Sequence, residues 1–346
     1  MLKKMKAAMF VEPKKIEIQK VNIPEISDDE VLIKVKYCGI CGTDVHIYNG
    51  EYSRDQLPLI AGHEFSGIVE KVGSKVKRFK GGERVTADVN LSCGTCYYCR
   101  HDQPLMCSEM RQLGIHMNGA FAEYVKVPQD KVYVLPENID FKGAALLEPI
   151  SCVVRAAKKH NLKFAESVAI IGDGAIALMH LQMAKILGAA PIILIGLDEN
   201  RMKKAKKLGA DYVIKSNSNM YEKVKALTEG RGADLVIESV GLKITNEQSF
   251  GLVRPGGRIM PFGIASDDCV VGYKPLDMVL KELTMISTVA GAKNDLADAI
   301  TLVQYNKFKL DDYKTTIMPL EKISDAFNVL KTDSNVLKVL IKIDNE

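Results

Sequence analysis

The stretch that most restricts the fold is Val168–Ala189, "VAIIGDGAIALMHLQMAKILGA". A buried apolar run leads through Gly172, Gly174 and Ala177 straight into a helical pattern. This is the G-x-G-x-x-A form of the dinucleotide fingerprint. Its first glycine makes a tight turn, its second lets a pyrophosphate approach the backbone, and its small third residue lets helix and strand pack closely. The phosphates then meet the helix N-terminus, where unpaired N–H groups and the helix dipole favour anions. The pattern alone is weak, and its strand-turn-helix context makes it strong.

The rhythm continues in the same way. "PIILIG", "NRMKKAKKLGA", "DYVI", "ADLVIESVG", "RIMPFG" and "TMISTVA" follow, apolar strands alternating with amphipathic helices. That alternation predicts an α/β fold, a doubly wound parallel sheet with helices on both faces. From Lys6 to about Leu135 the texture differs: short runs such as "KAAMFV", "DEVLIKVKYCGI" and "FAEYVKV" alternate with period two between Gly and Pro breaks, which predicts a strand-rich domain. A helix is expected from Ala144 onward in "GAALLEPISCVVRAAKKH". The helical "DLADAITLVQYNKF" and "EKISDAFNVL" and the apolar "VLKVLIKI" either extend the sheet domain or return to the first one.

The acidic residue that binds the ribose hydroxyls of NAD normally stands at the end of the second strand. Here that end is Gly196, followed by Asp198 and Arg201. A glycine leaves room for a 2′-phosphate that Arg201 can pair with, whereas Asp198 can bind the NAD ribose, so NAD and NADP both stay open. Lys203 and Lys204 are expected on a solvated helix face.

Four of the eight cysteines crowd into Cys93–Cys107. Cys93, Cys96 and Cys99 are two residues apart and Cys107 follows after seven more, which suits one zinc held by four thiolates. A closed thiolate shell leaves no position for substrate, so this zinc is expected to be structural. An iron–sulfur cluster is the alternative that spacing allows. A second ligand set is Cys41 in "GICGTDVH" and His63 with Glu64 in "AGHEFSG". A catalytic zinc takes three protein ligands from Cys, His and carboxylate and keeps one exchangeable position. Its third ligand is contested between Glu64, Glu148 in "LLEPISC" and Cys152. Thr43 and His46 offer a hydroxyl and an imidazole that can pass the alcohol proton out to solvent.

Charge narrows the classes further. Forty-seven basic and forty-three acidic residues leave a formal charge of +4 with the signs interleaved, so neither nucleic acid nor a membrane surface is expected as partner. The opening "MLKKMKAAMFVEPKK" has no apolar signal core, and no later run reads as a membrane span. A cytoplasmic location is expected, where clustered thiols stay reduced and serve metals.

These residues together resemble the zinc-dependent medium-chain dehydrogenase/reductase family over essentially the whole chain. "GICGTDVH", "AGHEFSGIVEKVGSKV", the cysteine cluster, "LLEPISC", "IIGDGAIA" and "RPGGRIMPFG" carry the resemblance. It implies a GroES-like catalytic domain in two chain segments, 1–150 and 291–346, with a Rossmann dinucleotide-binding domain inserted over 151–290. The Glu after His63 and the "LLEPISC" motif are similar to the polyol and sugar-alcohol branch and also to threonine 3-dehydrogenase. Carried over, Cys41, His63 and Glu64 bind a catalytic zinc and Glu148 binds it directly or through water, while Cys152 is offset from the place of the family's third cysteine. Thr43 and His46 match the proton relay. The implied activity is reversible oxidation of a secondary alcohol to a ketone with hydride transfer to NAD or NADP, by a homodimer or homotetramer. Two departures stand out. Gly196 replaces the Asp usual in NAD-linked polyol dehydrogenases, and the region "STVAGAK" offers only Lys293 where those enzymes usually carry an arginine. The rival activities are threonine 3-dehydrogenase and simple secondary-alcohol dehydrogenase. A non-catalytic nicotinamide-binding sensor or scaffold is the rival of another class.

Overall fold

The computed structural model describes residues 3–310, 313, 315–333 and 336–344. The chain divides into two compact units, one made of residues 1–151, 290–306 and 314–346 and the other of 152–289 and 307–313.

The first unit is built on a seven-stranded sheet. Its path runs Val132–Val134, Arg84–Ala87, Glu64–Val72, Glu30–Gly39, Lys338–Lys342 and Thr315–Pro319, with Tyr124–Pro128 also paired to Glu30–Gly39. Lys338–Lys342 lies antiparallel to Glu30–Gly39 and places Leu340 opposite Gly39. The terminal apolar run thus closes a sheet begun some 300 residues earlier in the chain. A smaller sheet pairs Lys15–Asn22 with Lys4–Glu12 and Lys4–Glu12 with Leu59–Ile60. In Lys4–Glu12, Met5 and Ala7 are buried on one face and Ala8 and Phe10 on the other, so the middle of this strand is covered on both sides. Phe10 stacks on Phe121 with ring centroids 6.2 Å apart, and Phe327 of the helix Ile323–Thr332 meets it edge-on at 5.7 Å. The returning C-terminal segment therefore supplies both a strand and an aromatic core residue to this unit.

The second unit holds a wholly parallel six-stranded sheet ordered Tyr212–Lys215, Ile192–Gly196, Val168–Ile171, Ala233–Glu238, Val253–Pro261, Thr284–Met285. Numbered along the chain this is 3-2-1-4-5-6, the doubly wound order with its switch point beside the first strand. Every residue of Val168–Ile171 and Ile192–Gly196 is buried, as strands covered on both faces require. The turn after the first strand needs Gly172. Its φ is +122°, and a Cβ there would stand 2.5 Å from the Ser239 hydroxyl. Gly174 caps the helix Ala175–Ile186 with no side-chain hydrogen bond, and a Cβ on it would meet open space. Ala177, buried on that helix, approaches the Gly172 position, which is the close helix-strand packing that the small third residue permits. The run "TMISTVA" forms only the two-residue edge strand Thr284–Met285. The expected helix from Ala144 is resolved into a short turn, Phe141–Ala144, and a longer helix, Leu147–His160. Among the described residues no helix is long and apolar enough to cross a membrane.

Candidate active site

Cys41, His63 and Glu64 come together although the chain separates them: one ligand atom from each lies within 4.8 Å of the others. Cys41 ends the turn that starts the helix Gly42–Asn49, and Glu64 opens the strand Glu64–Val72. Asp44 ties these segments together. Its Oδ2 accepts the Cys41 N–H at 2.8 Å and its Oδ1 accepts the Gly62 N–H at 3.2 Å. The same Oδ1 stands 3.5 Å from His63 Nδ1. Burial works against a charge on His63, but the Asp44 carboxylate and the Cys41 sulfur outweigh it and hold the imidazole well above its usual range. Asp44 is a residue that the sequence reading missed. Its position as the third residue of the helix that Cys41 caps was the available signal.

Glu64 is 1% exposed and pairs with Lys338, 7% exposed, whose Nζ donates to Oε1 at 2.6 Å. Burial disfavours the Lys338 charge, but Glu64 and then Cys41 outweigh it and keep the ammonium above its ordinary range. The strand partner of Glu64 is Gly39, where a Cβ would stand 2.3 Å from Glu64 Oε2 and 3.2 Å from Lys338 Cε. Gly39 is therefore the slot in which the ion pair lies. Sequence reading missed Lys338 as well, because 274 residues separate it from its partner.

The donor set fits zinc. His63 Nδ1 is buried and completes no hydrogen bond in the protein, both Glu64 oxygens lie against the Lys338 ammonium, and a thiol, an imidazole and a carboxylate in one place are the ligand types of catalytic zinc sites. Glu148 is buried and near enough for its charge to act on Lys338, but neither it nor Cys152 joins the group of three. Thr43 Oγ1 lies 3.7 Å from the Cys41 sulfur. His46, partly exposed on the same helix, has Nδ1 2.7 Å from Glu51 Oε2, a carboxylate that fixes the ring and was not anticipated.

Cys93, Cys96, Cys99 and Cys107 form the second group with all four sulfurs within 4.8 Å of one another. Backbone N–H groups aim at these sulfurs, Cys96 N to Cys93 Sγ and Cys93 N to Cys107 Sγ, both at 3.3 Å. N–H groups of Cys99 and Ser108 hold the Cys96 thiol down at about 6. Four sulfurs so placed fill a tetrahedral shell, and they fit a structural zinc with no open position. Lys293 does not stand in for the missing arginine: its Nζ forms an ion pair with Asp102, inside the loop that the four cysteines bracket.

In the second unit Gly172, Gly174 and Ala177 line the turn between first strand and helix, and Gly196 ends the second strand. Asp198 caps the helix Glu199–Leu208, its Oδ1 accepting the Arg201 N–H at 2.9 Å. Lys203 is exposed on that helix, as expected of a solvated face.

Two family models match the chain, the alcohol dehydrogenase GroES-like domain over residues 27–137 and the zinc-binding dehydrogenase over 175–305. The D-arabitol-phosphate dehydrogenase of Enterococcus avium is 34% identical over 331 residues, covering 94% of this chain and 93% of the relative. The chain belongs to the zinc-dependent medium-chain dehydrogenase/reductase family. The sorbitol dehydrogenase of Bacillus subtilis, another member, is 36% identical over 270 residues, 76% of each chain. Among solved structures, a zinc-binding dehydrogenase from Sinorhizobium meliloti 1021 bound to NADP superposes with a TM-score of 0.92 at 32% identity, covering 99% of this chain and all of that one. As a family member the chain is an oxidoreductase that uses zinc and a nicotinamide cofactor.

Proposed function

We propose that the enzyme reversibly oxidises a secondary alcohol of a polyol, sugar alcohol or related hydroxy compound to the ketone. The observation that carries this reading is the Cys41, His63 and Glu64 group, with its carboxylate held by Lys338. The relatives named for arabitol phosphate and sorbitol support the substrate class.

In this reading Cys41, His63 and Glu64 would hold the catalytic zinc, with Glu148 a further candidate ligand directly or through water, and Cys93, Cys96, Cys99 and Cys107 would hold the structural one. Bound zinc supplies Lewis acidity toward the hydroxyl oxygen, and the nicotinamide supplies the hydride acceptor. The protein's own part is to position and to move a proton. Asp44 fixes the loops that carry Cys41 and His63. Thr43 takes the hydroxyl proton next to Cys41, and His46, oriented by Glu51 and open to water, releases it to solvent. Gly172, Gly174 and Ala177 would admit a pyrophosphate against backbone, and Gly196, Asp198 and Arg201 would lie at the adenosine ribose of a bound dinucleotide. The chain acts as a cytoplasmic homodimer or homotetramer. None of its eight cysteines is in a disulfide, and the edge strand Thr284–Met285 lies near exposed Leu276, Val279 and Leu280. Sedimentation showing only monomer would remove the oligomer.

The test is nicotinamide reduction by the zinc-loaded protein with polyols, sugar phosphates, L-threonine and 2-butanol. Cys41→Ala and His63→Ala are expected to abolish turnover and to keep nucleotide binding. Turnover retained in either variant would sink the assignment of ligands, and turnover of L-threonine alone would replace the substrate class.

A further inference from the structure

The fingerprint turn carries an aspartate between its first two glycines, and its carboxylate does not point into solvent. Asp173 Oδ2 accepts the backbone N–H of Leu197 at 2.7 Å and of Asp198 at 2.8 Å, and Oδ1 lies 3.6 Å from Arg201 Nη1. These partners all sit just past the end of the second strand, the place where the sequence has Gly196 instead of an acidic residue. Glycine is required there by volume. A Cβ on residue 196 would stand 2.7 Å from Asp173 Oδ2 and 2.9 Å from Asp173 Cβ. The carboxylate that position 196 lacks is thus delivered to the same space from the opposite loop.

Two consecutive backbone N–H groups and a guanidinium form an anion-binding cluster, the kind of donors that would hold the 2′-phosphate of NADP. Here an internal carboxylate already occupies it. A 2′-phosphate arriving with a charge near −2 would have to displace Asp173 from three donors or lie against it as a like charge. A ribose 2′-hydroxyl meets no such conflict, because an ionised carboxylate has lone pairs beyond those its N–H partners use and accepts a further hydrogen bond. We propose that Asp173 is the residue that makes this enzyme select NAD over NADP, replacing the absent strand-end acid. The inference rests on the dinucleotide-binding reading of this unit and deepens it.

The experiment is direct binding, independent of turnover. NADH and NADPH are titrated separately into the full-length zinc-loaded protein, following fluorescence of the reduced nicotinamide, for the wild type and for Asp173→Asn, Asp173→Ser and Gly196→Ala. The wild type is expected to bind NADH at least tenfold more tightly than NADPH. Asp173→Ser is expected to narrow that ratio at least tenfold, chiefly by a gain for NADPH, and Arg201→Ala added to it should cancel the gain. Gly196→Ala, whose new methyl group pushes the carboxylate aside, should narrow the ratio by losing NADH. It keeps the test meaningful if the Asp173 variants fold poorly. A wild-type preference for NADPH, or a ratio that neither Asp173→Ser nor Gly196→Ala moves, overturns the proposal and leaves the dehydrogenase reading standing. A protein that binds neither nucleotide overturns both.

Discussion

Replacing Lys338 by methionine removes one half of a buried ion pair and keeps most of the side-chain volume. Glu64 is 1% exposed, and its Oε1 receives the Lys338 ammonium at 2.6 Å. Truncating one member of such a pair strands the other charge out of water and costs about 3–5 kcal/mol. In the proposed reading a zinc held by Glu64 would offset part of its charge, so the lower end applies to the loaded enzyme. For a unit of this size about 3 kcal/mol corresponds to a fall in melting temperature of about 6–12 °C. Calorimetry on zinc-loaded Lys338→Met should show that fall in the first unit's transition. Adding Glu64→Gln removes the stranded charge and should recover at least half of it, because replacing both partners is far cheaper than breaking the pair. A single variant melting within about 2 °C of wild type, or a double variant no more stable than the single, would refute the claim that Lys338 compensates Glu64.

Acid should weaken the second unit for a separate reason. Burial holds His160 down at about 4 and His180 at about 3, both neutral in the fold. Unfolded imidazoles protonate near 6.5, so their contribution is full above about pH 6.5 and is lost as pH falls toward 4 and 3, on the order of 3 to 5 kcal/mol each. Melting curves at pH 7 and pH 5 should show the first part of this loss, about 2 kcal/mol for each imidazole, and His180→Leu should reduce it; equal melting temperatures at both pH values would contradict the assignment. Cys96→Ser should lower the zinc content measured by atomic emission from two ions per chain to one and expose the loop around residues 93–107 to protease; unchanged metal content would exclude a thiolate site there. Phe327→Ala should cost about 3–5 kcal/mol of first-unit stability, since it opens a cavity against Phe10 and Tyr48. A loss below about 1 kcal/mol would mean that the returning segment is not part of that core.

How far the sequence disclosed the fold depends on the range over which each signal acts. The centre of the second unit's sheet was legible because Val168–Ile171, Ile192–Gly196 and Ala233–Glu238 are covered on both faces and so read as apolar runs, and because Gly172 carries a backbone requirement in its own identity. The run "TMISTVA" overstated its strand for the same reason in reverse: Thr284–Met285 is an exposed edge pair, and apolarity there does not report burial. Whether the last segment returns to the first unit could not be decided by pattern. What decides it is the pairing of Leu340 with Gly39 and the packing of Phe327 on Phe10, contacts between residues about 300 positions apart.

The same division runs through the site. The proposed ligands Cys41, His63 and Glu64 and the four clustered cysteines were legible because the residue types that can hold a metal are few, and the structure brings each group together. Asp44, Lys338 and Asp173 escape because an aspartate or a lysine is ordinary anywhere in a chain, and its meaning lies in what it faces. Each of the latter two faces a glycine. A Cβ at Gly39 would collide with the Glu64 carboxylate beside Lys338, and a Cβ at Gly196 would collide with the Asp173 carboxylate. Neither glycine has the positive φ that usually accounts for the residue. A glycine in an ordinary extended strand gives up packing and costs conformational entropy, so it persists where something else needs the room. In this chain the two strand-end glycines without a backbone reason mark the two carboxylates to which the proposals give metal binding and coenzyme choice, which makes Gly39→Ala the sharper companion to Gly196→Ala. The first should impair zinc retention and leave the NADH/NADPH ratio unchanged, the second should do the opposite, and a crossed result would separate the glycines from the carboxylates they are argued to accommodate.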